Sequence, residues 1–205
     1  MTLRLSVPLS LLGLAALAPA ARADTGSPPT AAVEREPERA NSINISPLGI
    51  VFGAYNLNYE RLFGAHGLLV EAGLARVSDD GDKATSVGGS LGYRWHWRGR
   101  QNSGFLGVSA GFYDGTGEGT LEDGDMERSY DVDVTSYYLV ANVGKRWAWD
   151  NGLNVTLRIG GGYGHYDITP RSDGPEAQEA AEELKDVLTE IPIAIDGELS
   201  LGYTF

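Results

Sequence analysis

Ile191-Pro192-Ile193-Ala194-Ile195-Asp196-Gly197-Glu198-Leu199-Ser200-Leu201-Gly202-Tyr203-Thr204-Phe205 is the run whose periodicity decides the fold. Every second residue gives Ile191, Ile193, Ile195, Gly197, Leu199, Leu201, Tyr203 and Phe205; the residues between include Asp196, Glu198, Ser200 and Thr204. Side chains alternate faces along a strand, so one face is almost wholly apolar and the other polar or small. A helix would scatter both sets around its circumference. Acids in mid-strand, opposite an apolar face ending in aromatics, suit a transmembrane barrel strand with lipid on one side and a polar interior on the other.

The same design repeats upstream, and eight strands are expected. The first runs from Ser42 to about Gly49, the second over Ala54 to Leu62, the third over Gly67 to Val77. In the fourth, Val87, Gly89, Leu91, Tyr93, Trp95 and Trp97 alternate with Ser86, Gly88, Ser90, Gly92, Arg94 and His96. The fifth spans Gly104 to Tyr113, the sixth about Asp131 to Trp149, the seventh Leu153 to Asp167, and the opening run is the eighth. Most segments reach the roughly 9–11 residues that cross a bilayer at a tilt. Connections alternate in length. Gly64 to Gly67, Arg98 to Ser103 and Asp150 to Gly152 are short. Ser78 to Ala84, Asp114 to Ser129 and Thr169 to Glu190 are longer, with a tight first connection near Ile50 to Gly53. Trp95, Trp97, Trp147 and Trp149 all fall at the short-turn ends of strands, where an interfacial aromatic belt belongs together with Tyr203 and Phe205. The expected fold is all-β: an eight-stranded antiparallel up-and-down transmembrane β-barrel with a short helix in the last outer loop. A soluble barrel with the faces inverted fits the alternation alone. The tryptophan belt, the aromatic last residue and the N-terminus favour the membrane.

Composition agrees. The net charge of -12 argues against nucleic acid, since phosphate binding needs clustered Lys and Arg. Twenty-eight glycines suit a narrow interior where small residues make room for large ones. The absence of cysteine excludes disulfides and thiolate metal sites. Residues 1–23 read as a secretory signal peptide. Arg4 is the positive start, Leu5 to Ala18 the apolar core, and Ala21-Arg22-Ala23 a small-x-small cleavage site. Losing Arg4 and Arg22 takes the charge from -12 to about -14. Residues 24–40, rich in Pro, Glu, Arg and Ala, read as a disordered periplasmic tail, leaving 41–205 as the barrel.

Residues 41–205 resemble the small eight-stranded outer-membrane barrels of the OmpA-transmembrane-domain, OmpX and OmpW kind. Asn41-Ser42-Ile43-Asn44, Pro47-Leu48-Gly49 and Asn58-Tyr59-Glu60-Arg61 are similar to a bacterial barrel family of unassigned function. The tail Ser200 to Phe205 resembles the C-terminal signal of outer-membrane barrels. The resemblance implies Sec export, residence in the outer membrane of a Gram-negative cell envelope, recognition by the barrel assembly machinery through the last strand, and contact with outer-membrane lipid and lipopolysaccharide. A monomer is expected, with no cofactor.

Chemistry would lie first in the interior, where Glu60, Glu71, Arg94, Arg146, Arg158, Asp196 and Glu198 share the face opposite the apolar one. Folding the second and third strands about the centre of Gly64–Gly67 sets Glu60 opposite Glu71, a repulsive pair needing a proton or a cation. Asp196 and Glu198 are expected partners of Arg158. An interior this narrow holds side chains or one small ligand, so a salt-bridged plug is the first reading and a gated path the second. His66, His96 and His165 are too dispersed for a metal site. His165 faces outward, as in lipid A deacylases that resemble this class, but Ser136 has the wrong parity to be its partner. No catalytic constellation is found. The acidic stretches Asp79-Asp80-Gly81-Asp82 and Glu122-Asp123-Gly124-Asp125 lack full calcium-loop spacing and read as solvated charge. Asp173 to Glu176 is a passable capping box, and Glu176 to Leu188 reads as a short amphipathic helix at the mouth. Three functions remain: a structural or surface-interaction barrel with a side-chain-plugged polar lumen, a narrow channel for small solutes, or a lipid-modifying enzyme.

Overall fold

The computed structural model describes residues 39–79, 82–123, 126–171, 174, 178–179, 181–182, 185 and 192–205. The expected signal peptide, nearly all of the tail, and Asp173, Pro175 and Glu176 of the expected capping box lie outside the described residues. The elements are β1 (Asn41–Ile45), α1 (Pro47–Val51), β2 (Ala54–Phe63), β3 (His66–Asp79), β4 (Asp82–His96), β5 (Gly104–Asp123), β6 (Met126–Ala148), β7 (Leu153–Pro170) and β8 (Ile193–Thr204). Each strand pairs antiparallel with the next, and β8 returns to β1, closing an eight-stranded up-and-down barrel. Closure leaves no free sheet edge where β1 and β8 meet, from Ser42 opposite Thr204 to Ile45 opposite Leu201.

Turn chemistry sets the register at the short-turn end. Gly64 adopts φ +62° and β2 joins β3 through Gly64 and Ala65 alone, so Phe63 pairs with His66. Counting from there, Glu60 faces Leu69 and Asn58 faces Glu71. The expected Glu60–Glu71 opposition is therefore wrong by two residues, because the turn is tighter than the four-residue connection assumed. Gly152 at φ +92° closes the other tight hairpin, with the Trp149 amide donating to the Leu153 carbonyl at 2.9 Å.

Two further boundaries differ from expectation. β1 stops at Ile45 instead of running to Gly49, because proline cannot donate to a ladder but suits the first turn of a helix. Ser46 caps α1, its Oγ accepting from the Gly49 amide at 3.4 Å and donating to the Leu199 carbonyl at 3.2 Å. Conversely, within the expected loops Ser78 to Ala84 and Asp114 to Ser129, residues 78–79, 82–84, 114–123 and 126–129 are strand. Their glycines and acids read as loop by polarity, yet a partner strand supplies every ladder bond, and pairing overrides a weak propensity. β5 and β6 reach 20 and 23 residues, so the wall is tallest on that side.

The polarity of the wall is inside-out. Interior Glu60, Arg94 and Arg146 are 0%, 1% and 0% exposed, while Leu91, Ile159 and Ile195 on the outside are 68%, 67% and 62% exposed. At the end opposite the short turns, Gln178, Glu179, Ala181, Glu182 and Lys185 are helical, and buried Ala181 packs on Val132 and Ile168. The rest of the run expected as a helix from Glu176 to Leu188 lies outside the described residues.

Candidate functional site

Even-numbered residues of β2, β4, β6, β7 and β8 point into the barrel, and this parity delivers the interior charges. β3 contributes Glu71 from its odd set. Glu60 accepts from Arg94 at 2.8 Å and from Arg146 at 2.8 Å through the same oxygen, Oε2. Its other oxygen, Oε1, meets His96 Nε2 at 2.7 Å. Since a carboxylate only accepts, Nε2 carries the hydrogen. Arg94 extends its second amino group to Glu198 at 2.9 Å. Arg158 gathers three acids, with Asp196 at 2.9 Å, Glu71 at 3.0 Å and Glu198 at 3.3 Å.

In a closed ring of eight, strands four apart stand on opposite walls. Glu60–Arg146 joins β2 to β6, Arg94–Glu198 joins β4 to β8, and Glu71–Arg158 joins β3 to β7. Three ion pairs thus cross the barrel from wall to wall. Neutral groups complete them. Asn58 and Ser200 donate to Glu198 Oε1 at 2.8 and 2.6 Å, Ser90 donates to Glu71 at 2.9 Å, and Asn142 donates to Asp196 at 3.0 Å. The carboxylate oxygens are well met in this way, while Arg94 Nε, Arg158 Nε and His96 Nδ1 are buried with no hydrogen-bond partner among the described residues. Phe105, fully buried, lies 4.4 Å beneath the Arg94 guanidinium and 5.3 Å from the His96 ring.

The β4–β5 connection adds a part that the sequence did not announce. Gln101 is 5% exposed; its Oε1 accepts from Arg146 and its amide donates to the Ala40 carbonyl at 3.3 Å. Ala40 precedes β1, which stands opposite β5, so this turn reaches across the short-turn mouth. A lone Gln between arginines and Asn102 carries no local signal of that role.

Six of the inward-facing glycines, Gly88, Gly92, Gly107, Gly111, Gly160 and Gly162, also have definite neighbours. A Cβ on Gly88 would meet Tyr113 Cδ1 at 2.5 Å, one on Gly92 would meet Ser109 Oγ at 2.8 Å, and one on Gly107 would meet Asn142 Oδ1 at 2.5 Å. Gly111, Gly160 and Gly162 are likewise crowded, at 2.4, 2.4 and 2.0 Å from backbone oxygens of the adjoining strands.

The seven interior charges form one connected network, while the aromatics stay apart from it. Trp95, Trp97, Trp147, Trp149, Tyr203 and Phe205 are all exposed on the outer wall near the short turns. His66 opens β3, outside, within 2.6 Å of the Tyr93 hydroxyl. His165 is exposed and pairs across to Tyr137, one residue from Ser136. No group of three potential metal ligands occurs among the described residues.

Fold and interior together define a class: a closed, eight-stranded antiparallel barrel with apolar residues outside and a cross-braced ionic interior. No protein-family model and no curated protein matches the sequence. Among solved structures the chain is similar to CarO of Acinetobacter baumannii, with a TM-score of 0.45 and 10% identity over 82% of this chain and 98% of that one.

Proposed function

We propose that this is an outer-membrane β-barrel with a structural or surface-interaction role, its lumen filled and sealed by its own side chains. The observation that carries the reading is the set of three ion pairs spanning opposite walls, with Glu60, Arg94 and Arg146 at their centre. A path for solutes along the axis would have to break at least one of them. The Gln101 turn closes the short-turn end over the same network. The glycine-lined channel is less well supported, because the space beside the glycines is taken by Tyr113, Ser109, Asn142 and neighbouring backbone.

Membrane residence is supported by the outer wall. An apolar belt this extensive would be a large aggregating patch in water, whereas lipid solvates it at no cost. Tryptophans at one end supply the interfacial anchor, and the short turns then face the periplasm. The test is quenching of tryptophan fluorescence by brominated lipids in vesicles containing refolded protein. Bromine near the headgroups should quench strongly and bromine near the bilayer centre weakly, because all four tryptophans sit at one interface. Absence of quenching by either lipid would return the chain to a water-soluble barrel.

A further inference from the structure

Outside the barrel, beside α1, lies an apolar groove of about 350 Å³ lined by Ile45, Ile50, Tyr55, Leu57, Leu74 and Ala72. Ala72, which faces outward in its floor, carries a single side-chain carbon, and its β4 partner Gly89 carries none, so the wall dips between Leu57 and Phe112. Outward along the same β3–β4 ladder the pairs become Leu74 with Val87, then Arg76 with Thr85, then Ser78 with Lys83. Each step of two residues advances about 6.6 Å. An apolar trough therefore leads directly to an exposed quartet of two cations and two hydroxyls. Neither Arg76 nor Lys83 forms an ion pair with a described residue, although Glu118 faces Lys83 across the β4–β5 pair. On a chain of net charge -12, two adjoining exposed cations with no ion pair among the described residues, at the rim of an apolar groove, offer a place for an anionic ligand.

We propose that this groove and rim bind one lipid A-type glycolipid, an acyl chain lying in the trough and a phosphate held by Arg76, Lys83 and the Ser78 and Thr85 hydroxyls. The chemistry is matched at both ends. Guanidinium and ammonium groups give charge-assisted hydrogen bonds to phosphate, and a dip in a lipid-facing wall adds contact area for a chain. The site rests on the membrane reading above, with the short turns periplasmic, which puts Arg76 and Lys83 at the outer leaflet.

The test uses full-length refolded protein, its folding verified by heat-modifiable migration, with bis-phosphorylated lipid A added in detergent and retention read by native mass spectrometry. One retained lipid A per barrel is expected. Retention should fall roughly tenfold in the Arg76→Ala/Lys83→Ala double variant, as expected when phosphate contacts are lost, and comparably in Ala72→Leu, which fills the trough. Both changes lie on the outer wall, away from the ionic interior. Equal retention of phosphatidylglycerol, or retention unchanged in the double variant, would overturn the site. A folded barrel that keeps no lipid overturns the site alone; a chain that cannot fold in detergent overturns the membrane reading with it.

Discussion

Arg94 is the residue on which the interior turns. It donates to Glu60 on one side and Glu198 on the other, with the Phe105 ring beneath it, and it is 1% exposed. Removing it takes one cation from two buried carboxylates at once, leaving Glu60 with Arg146 and His96 and Glu198 with Arg158. Arg94→Ala is therefore expected to lower the stability of the refolded barrel by about 3–5 kcal/mol, measured by urea unfolding in detergent. Asp196→Asn should cost much less, because the Asp196 side chain is 13% exposed and Arg158 keeps Glu71 and Glu198. An equal cost for the two would contradict the assignment of Arg94 as the central brace. These residues were legible individually and not as a network. Period-two alternation puts Glu60, Arg94, Arg146, Arg158 and Glu198 on one face of their strands, which is a local property. The contact of Arg94 with Glu198 depends on closure of the whole ring, and no local pattern encodes which walls meet.

At the scale of elements, the turns carry the register. Gly64 and Gly152 both hold left-handed backbone, at φ +62° and +92°. Alanine at either position would incur about 1–2 kcal/mol of backbone strain. A Cβ at Gly64 meets nothing within 4 Å, whereas one at Gly152 would come within 2.6 Å of the Tyr203 ring. Gly152→Ala should thus lower the unfolding midpoint more than Gly64→Ala. If the order were reversed, contact with the β8 aromatic would not be what Gly152 provides. The turn after β2 also explains the one interior pairing that sequence reasoning misplaced. A two-residue connection in place of four shifts every β2–β3 pair by two, which preserves the faces and changes the partners. β1 ends short of expectation because the alternation of Ile43 and Ile45 with Asn44 and Ser46 does not continue across Pro47, whose missing N–H ends the ladder. The long outer halves of β5 and β6 were missed in the other direction, since alternating glycine with Asp114, Thr116 and Glu118 looks like loop until a partner strand is supplied.

Across the whole molecule, two facts combine: the wall is apolar outside, and the interior is braced along three diameters. The first is the polarity that the proposed membrane environment would solvate. The second leaves little room for solute, and the Gln101 turn reaches across the short-turn mouth to Arg146 and Ala40. The proposed glycolipid groove beneath Arg76 and Lys83 lies on the apolar outer wall, away from the axis. Planar-bilayer recording of the refolded protein tests this account most directly. A silent bilayer containing inserted, heat-modifiable barrel is the predicted result, with discrete steps appearing only when a brace is cut, as in Arg94→Ala. Discrete conductance steps in the unaltered protein would contradict it, because ions would then be passing where the wall-to-wall pairs are held to stand.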